Sequence, residues 1–222
     1  MIAEVNGIRL FYEKSGEGRP LIMVHGNGED HTIFDEAAAL LEKDYCVIRP
    51  DSRCHGQSED TPELHYADMA ADVIALIEAL ELQDVIFYGF SDGGIVALMA
   101  AARCERITTL IVSGANTSPK AVKLPLRLAI RFGYWRTRDK KLGLMLREPN
   151  ISDAGLASIR ARTLVLAGSG DLIPEKETRH IAAAIPGAQL KILKGEDHGS
   201  YIVHSEKIAE LIRGFLKGEE NK

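Results

Sequence analysis

Residues 85–102 run from an apolar stretch, Val85-Ile-Phe-Tyr-Gly-Phe90, through Ser91-Asp-Gly-Gly94 into Ile95-Val-Ala-Leu-Met-Ala-Ala-Ala102. The first part is β-branched and aromatic, as a buried strand is, and the last is rich in Ala and Leu, as a helix is. Between them lies Gly89-x-Ser91-x-Gly93, which predicts a serine on a two- or three-residue turn, held out of the sheet at a helix N-terminus. Gly89 and Gly93 have a steric role, because a Cβ on either side of so sharp a turn would collide with the neighbouring element. A plain glycine-rich turn, or a phosphate loop at a helix N-terminus, is the competing reading. The segment lacks the lysine and spacing of a Walker motif and the three-glycine spacing of a dinucleotide fingerprint.

The alternation of strand and helix extends along the chain. Strands are predicted at 2–5 and 8–13, joined by the hairpin signal Asn6-Gly7, and at 21–24, 45–49, 85–89, 107–112, 163–167 and 190–193. Helices are predicted at 33–42, 66–80, after Ser91, at 175–185 and at 201–216. This rhythm implies right-handed crossovers and a mostly parallel, eight-stranded α/β sheet with helices on both faces. At 222 residues the chain fits one α/β domain spanning 1–222. Residues 118–155 break the rhythm with three prolines, the only tryptophan (Trp135) and nine basic residues against three acidic ones. They read as a short helical lid over the carboxyl ends of the strands, where open α/β sheets bind ligands.

The net charge of −5 argues against general nucleic-acid binding, and the longest apolar stretches fall short of a membrane span. The N-terminus lacks a leader pattern, so the expected compartment is cytoplasmic. Cys46, Cys54 and Cys104 are odd in number and contain no Cys-x-x-Cys pair, which reads as free thiols with no metal site.

A serine nucleophile needs a base to take its proton, an acid to orient that base, and donors for an oxyanion. Asp171 follows the strand at 163–167 in Gly168-Ser-Gly-Asp-Leu-Ile-Pro174, and His198 follows the next strand in Gly195-Glu-Asp-His-Gly199. The order Ser, Asp, His, with each residue at the end of its own strand, is that of α/β-hydrolases. Asp197 is adjacent to the histidine and would point away from it. One strand earlier the chain offers Asn116, which is not an acid.

Over nearly its whole length the chain resembles the α/β-hydrolase fold family. Besides the elbow Gly89-Phe-Ser-Asp-Gly93, His25-Gly-Asn-Gly28 is similar to the family's oxyanion loop, and Asp51-Ser-Arg-Cys-His-Gly-Gln-Ser58 to its Asp-x-Arg-Gly-His-Gly-x-Ser stretch. Ser91-Asp-Gly-Gly94 resembles small serine esterases of the valacyclovir-hydrolase and biphenyl-hydrolase-like group. The resemblance implies Ser91 as nucleophile, His198 as base and then acid, and Asp171 as the residue orienting the imidazole. It implies an oxyanion hole from the backbone N–H groups of Asn27 and Asp92, with the Asp92 carboxylate facing solvent or capping the helix. Phe90, Tyr134, Trp135 and Met145 are expected to line the substrate pocket. His25 and His55 are expected to stabilise loops, and His31, His65, His180 and His204 to be solvated or packed.

Two departures stand out. Cys54 occupies a position where the family usually has glycine, which reads as a small residue tolerated in the loop, a looser loop or an oxidisable thiol near the pocket. The 118–155 lid is short, which implies an open pocket. The expected function is therefore a cofactor-free carboxylesterase acting on small or medium esters through an acyl-enzyme. Lactonase, thioesterase, aminopeptidase, perhydrolase, carbon–carbon hydrolase and a non-catalytic ligand receptor remain alternatives on the same scaffold. The basic lid is read either as selecting anionic substrates or as a solvated surface.

Overall fold

Eight strands pair into one sheet in the computed structural model, which describes residues 1–218; residues 219–222 of the expected domain lie outside them. In chain order they are β1 (Ile2–Val5), β2 (Ile8–Ser15), β3 (Arg19–Val24), β4 (Tyr45–Pro50), β5 (Val85–Phe90), β6 (Ile107–Ser113), β7 (Arg162–Gly168) and β8 (Gln189–Leu193). Their order across the sheet is β1-β2-β4-β3-β5-β6-β7-β8. The β1–β2 hairpin turns on Asn6 and Gly7, both at positive φ (47° and 75°), as a two-residue hairpin loop demands. The first two pairings are antiparallel and the other five parallel. This is the expected mostly parallel, eight-stranded sheet.

Alternate side chains of the central strands feed two cores. Ile22, Val24, Val85 and Phe87 pack against α2 (Tyr66–Ala79), α3 (Asp92–Ala101) and α7 (Glu175–Ala184). Leu21, Met23, Ile86 and Tyr88 pack against α1 (Asp35–Leu41) and α8 (Lys207–Lys217). Every residue of β5 is buried, so the strand that leads to Ser91 has no solvated face on which its register could slip. Each fully buried aliphatic or aromatic side chain contributes roughly 1.5–3 kcal/mol relative to an exposed one.

Several boundaries depart from the sequence reading. The closing helix begins at Lys207 rather than Tyr201. His204 has a positive φ of 48° and its N–H bonds Ile33 O (2.9 Å), which breaks any helix before it. Tyr201 and Ile202 are nonetheless fully buried, so their apolar character reflects tertiary packing. The 33–42 segment divides into a 3₁₀ turn at His31–Phe34, capped by the Asp30 side chain, and α1. Pro50 ends β4 inside the sheet, opposite Tyr12, beyond the last residue that β4 pairs with β3.

Between β6 and β7 the chain forms α4 (Leu124–Thr137), α5 (Lys140–Arg147) and the short α6 (Asp153–Ala157). No helix among the described residues is long and apolar enough to cross a membrane.

Candidate active site

Ser91 stands between the end of β5 and the start of α3 with φ 53° and ψ −115°, a backbone conformation that L-residues avoid. Its neighbours leave the chain no alternative. A Cβ on Gly89 would lie 2.2 Å from Gly93 O, and one on Gly93 would lie 2.1 Å from Val24 O. The Ser91 N–H is tied to Ser113 O at 2.8 Å.

Ser91 Oγ lies 3.0 Å from His198 Nε2, and His198 Nδ1 lies 2.7 Å from Asp171 Oδ1. With Nδ1–H donating to the carboxylate, Nε2 is left to accept the serine proton. Asp171 is buried, and its Oδ1 also accepts the Ile173 N–H at 2.8 Å, which fixes the carboxylate's rotation. Gly114 provides the space for the imidazole: at φ 63°, a Cβ there would come within 2.6 Å of His198 Cε1. The sequence reading missed Gly114, although a glycine at the end of β6 was a usable signal. Asp197 accepts the Gly199 and Ser200 N–H groups (3.0 and 2.8 Å), and Asn116 donates to Ser118 O; neither orients His198.

The His25–Gly28 loop lies against the serine, since a Cβ on Gly26 would sit 3.1 Å from Ser91 Cβ. Asp92 is the first residue of α3, so its N–H has no carbonyl one turn back to bond. The Asp92 carboxylate neither faces solvent nor caps the helix. It is buried and accepts a hydrogen bond from Asn27 Nδ2 at 2.8 Å, joining the elbow to the His25–Gly28 loop. Burial raises its pKa. Asn27 Nδ2 also reaches Lys141 O at 3.3 Å, so α5 is tied to the same junction. Glu29, which the sequence reading did not single out, accepts the Gly26 N–H at 2.9 Å, and burial raises its pKa as well.

A family model described as alpha/beta hydrolase fold matches residues 19–141. The chain belongs to that family. It is 27% identical to the serine hydrolase BPHL of Mus musculus over 247 residues, covering 96% of this chain and 84% of that protein. A meta-cleavage product hydrolase from Pseudomonas fluorescens superposes with a TM-score of 0.83 at 21% identity, covering 99% of this chain and 98% of that one. An enol-lactonase from Burkholderia xenovorans superposes with a TM-score of 0.80 at 24% identity, covering 98% and 100%. The two structures share the hydrolase fold with this chain.

The stretch after β4 that resembles the hydrolase family's Asp-x-Arg-Gly-His-Gly-x-Ser motif is a scaffold. Asp51 accepts the His31 N–H (2.8 Å) through Oδ1 and the Gln57 N–H (2.8 Å) through Oδ2, and Oδ1 lies 2.7 Å from His31 Nδ1. Arg53 forks onto Asp72 with two bonds of 2.6 Å. His25 Nε2 accepts the Ser52 N–H at 3.0 Å while Nδ1 lies 2.8 Å from Gly26 O, so the imidazole clips its own loop to this stretch. Burial pushes the His25 pKa down to about 4 and lowers that of His55, whose Nδ1 lies 2.9 Å from Arg53 O. Cys54 has φ 66°, which explains why glycine suits that position. Its thiol is buried against Thr61 Oγ1 at 3.2 Å.

His31 is buried, whereas His204 is exposed beside Glu36; His65 pairs with Glu148 and His180 with Asp153. Asp30, His31 and Asp51 bring donor atoms within 4.8 Å of one another, but both Asp51 oxygens already accept backbone N–H groups. That cluster braces two loops.

Phe90 stacks beside the imidazole, with ring centroids 5.0 Å apart. Tyr134, Trp135 and Met145 lie on α4 and α5, between β6 and β7. They line a cavity of about 840 Å³ built wholly from residues 118–150, and Ser91, Asp171 and His198 are not part of its wall. Lys123 links the two regions: its N–H bonds Leu172 O at 3.4 Å and its ammonium donates to Asp171 O.

Proposed function

We propose that the protein is a serine hydrolase of carboxylic esters with small or medium acyl groups. The Ser91–His198–Asp171 chain of hydrogen bonds carries this reading. Membership of a hydrolase family and similarity to a protein named as a serine hydrolase support it.

In this mechanism His198 Nε2 takes the Ser91 proton as Oγ bonds to the ester carbonyl carbon. The resulting oxyanion accepts the backbone N–H groups of Asn27 and Asp92, donors of a kind worth a few kcal/mol each in the transition state. The imidazolium, stabilised by Asp171, gives its proton to the leaving alkoxide as the carbon–oxygen bond breaks. Water, deprotonated by His198, then attacks the acyl-enzyme and releases the carboxylic acid, returning the proton to Ser91.

The test is a panel of esters, thioesters, lactones and aminoacyl amides, with Ser91→Ala as control and a fluorophosphonate as label. Ester turnover that Ser91→Ala abolishes, with labelling confined to Ser91, supports the proposal. Full ester activity in Ser91→Ala overturns the nucleophile, and turnover confined to another substrate class overturns the ester assignment.

A further inference from the structure

Helix α4 presents a largely exposed apolar face, with Leu124, Leu128 and Trp135 also bordering the cavity formed by residues 118–150. Leu124, Leu128, Phe132 and Trp135 are 59, 56, 61 and 66% exposed, four of the seven exposed large apolar side chains among the described residues. Leu172, 41% exposed, extends the patch at the foot of the helix, where its carbonyl accepts the Lys123 N–H. Soluble surfaces rarely gather such side chains into one stripe without a use for it.

The arrangement along α4 is ordered. At 100° per residue the four side chains fall within an arc of roughly 80°, along a helix of 14 residues. Phe132 and Trp135 hold their rings 5.9 Å apart. Arg127 and Arg131 border the stripe on one side and Arg136 on the other, and none of the three has an ion pair among the described residues. The surrounding segment 118–155 carries nine basic residues against three acidic ones, in a chain whose net charge is −5. The positive charge is therefore concentrated in the segment that carries the exposed stripe.

Apolar side chains edged by unneutralised guanidiniums match acyl chains lying beneath a layer of phosphates. Arginine bonds phosphate oxygens bidentately, and Trp, Phe and Leu sink to the depth where headgroups meet hydrocarbon. A symmetric contact between two copies of α4 would instead set arginine rows against each other. We propose that α4 docks on bilayers containing anionic phospholipids, lying in the headgroup plane with Leu124, Leu128, Phe132 and Trp135 inserted. The docking is peripheral and does not depend on the chemistry proposed for Ser91.

Trp135 is the only tryptophan, so its emission reports on this face without labelling. The full chain is titrated with vesicles of phosphatidylcholine containing phosphatidylglycerol, and with phosphatidylcholine alone. The expected result is a blue shift with the anionic vesicles, quenched by bromolipid and reversed by high salt. Arg127→Glu/Arg131→Glu should bind those vesicles roughly tenfold more weakly or worse, and Leu128→Ser/Phe132→Ser should lose the blue shift.

Circular dichroism and melting verify that both variants fold. The charge-reversed chain, which alters no apolar side chain, carries the comparison if the serine variant melts early. No shift with anionic vesicles, an equal shift with neutral ones, or unchanged binding in the charge-reversed chain overturns the proposal. So does a concentration-dependent dimer in lipid-free sedimentation that buries Trp135, since a second copy would then be the occupant.

Discussion

Helices α3 and α4 are both rich in apolar residues, yet nine of the ten residues of α3 are buried and only Ile130 of the fourteen in α4 is. The difference lies in what each helix follows. Helix α3 leaves a fully buried strand through a turn whose glycines touch backbone carbonyls, so its position is constrained on every side. Helix α4 sits in an insertion between strands and rests on the body through contacts such as Lys123 on the Asp171 loop. Chemistry that needs sub-ångström placement is built on the first kind of element, while the second is free to present a surface.

Substitutions can break this contrast. The largest effect is expected from Ser91→Ala, which should lower kcat/KM for any ester the protein hydrolyses by on the order of 10⁴ or more. Stability should change by less than about 1 kcal/mol, because the elbow glycines and not the hydroxyl hold the turn; steady-state kinetics and urea unfolding check both. Gly93→Ala comes next. Its Cβ would meet Val24 O at 2.1 Å, so unfolding should become easier by more than about 3 kcal/mol, or the chain should fail to fold.

Acid provides the third test. His25 is held neutral by burial with its pKa at about 4, below the ordinary 6.5, so the folded state binds fewer protons than the unfolded one. The stability this confers is complete above pH 6.5 and is lost as pH falls towards 4. Between pH 8 and pH 5 the loss should be about 2 kcal/mol. His25→Gln should flatten part of that acid limb in urea titrations, the remainder coming from His55, which burial also holds below its ordinary value. The smallest effect is expected at Gly133 in α4, where an added Cβ meets only the flexible end of Leu142 at 3.0 Å. Gly133→Ala should be neutral, or stabilising by up to about 1 kcal/mol through helix propensity, in thermal melts. A loss comparable to that of Gly93→Ala would erase the contrast between the two helices.

Much of the scaffold was legible because its signals are local. The Asn6-Gly7 hairpin, the β5 run, the collision of a Cβ at Gly89 or Gly93 and the mostly parallel sheet all follow from residue type and spacing. The order of Ser91, Asp171 and His198 along the chain was readable in the same way. The misread features depend on partners distant in sequence. Tyr201 and Ile202 look helical because they are apolar, but the His204 N–H bonds Ile33 O and ends that pattern. Asp92 looked like a solvated acid at a helix start until Asn27 supplied a donor from 65 positions away.

The sequence by itself determined that a serine would be strained upward between a buried strand and a helix, because glycine spacing and apolar runs act over a few residues. Only the tertiary structure decided what surrounds that serine. Gly114 clears room for His198, Glu29 and His25 brace the His25–Gly28 loop, and the aromatics of α4 border a cavity or stand in solvent. Those outcomes depend on where the ends of separate strands and an inserted helix come to rest. Packing between distant segments sets them, and no local pattern encodes it.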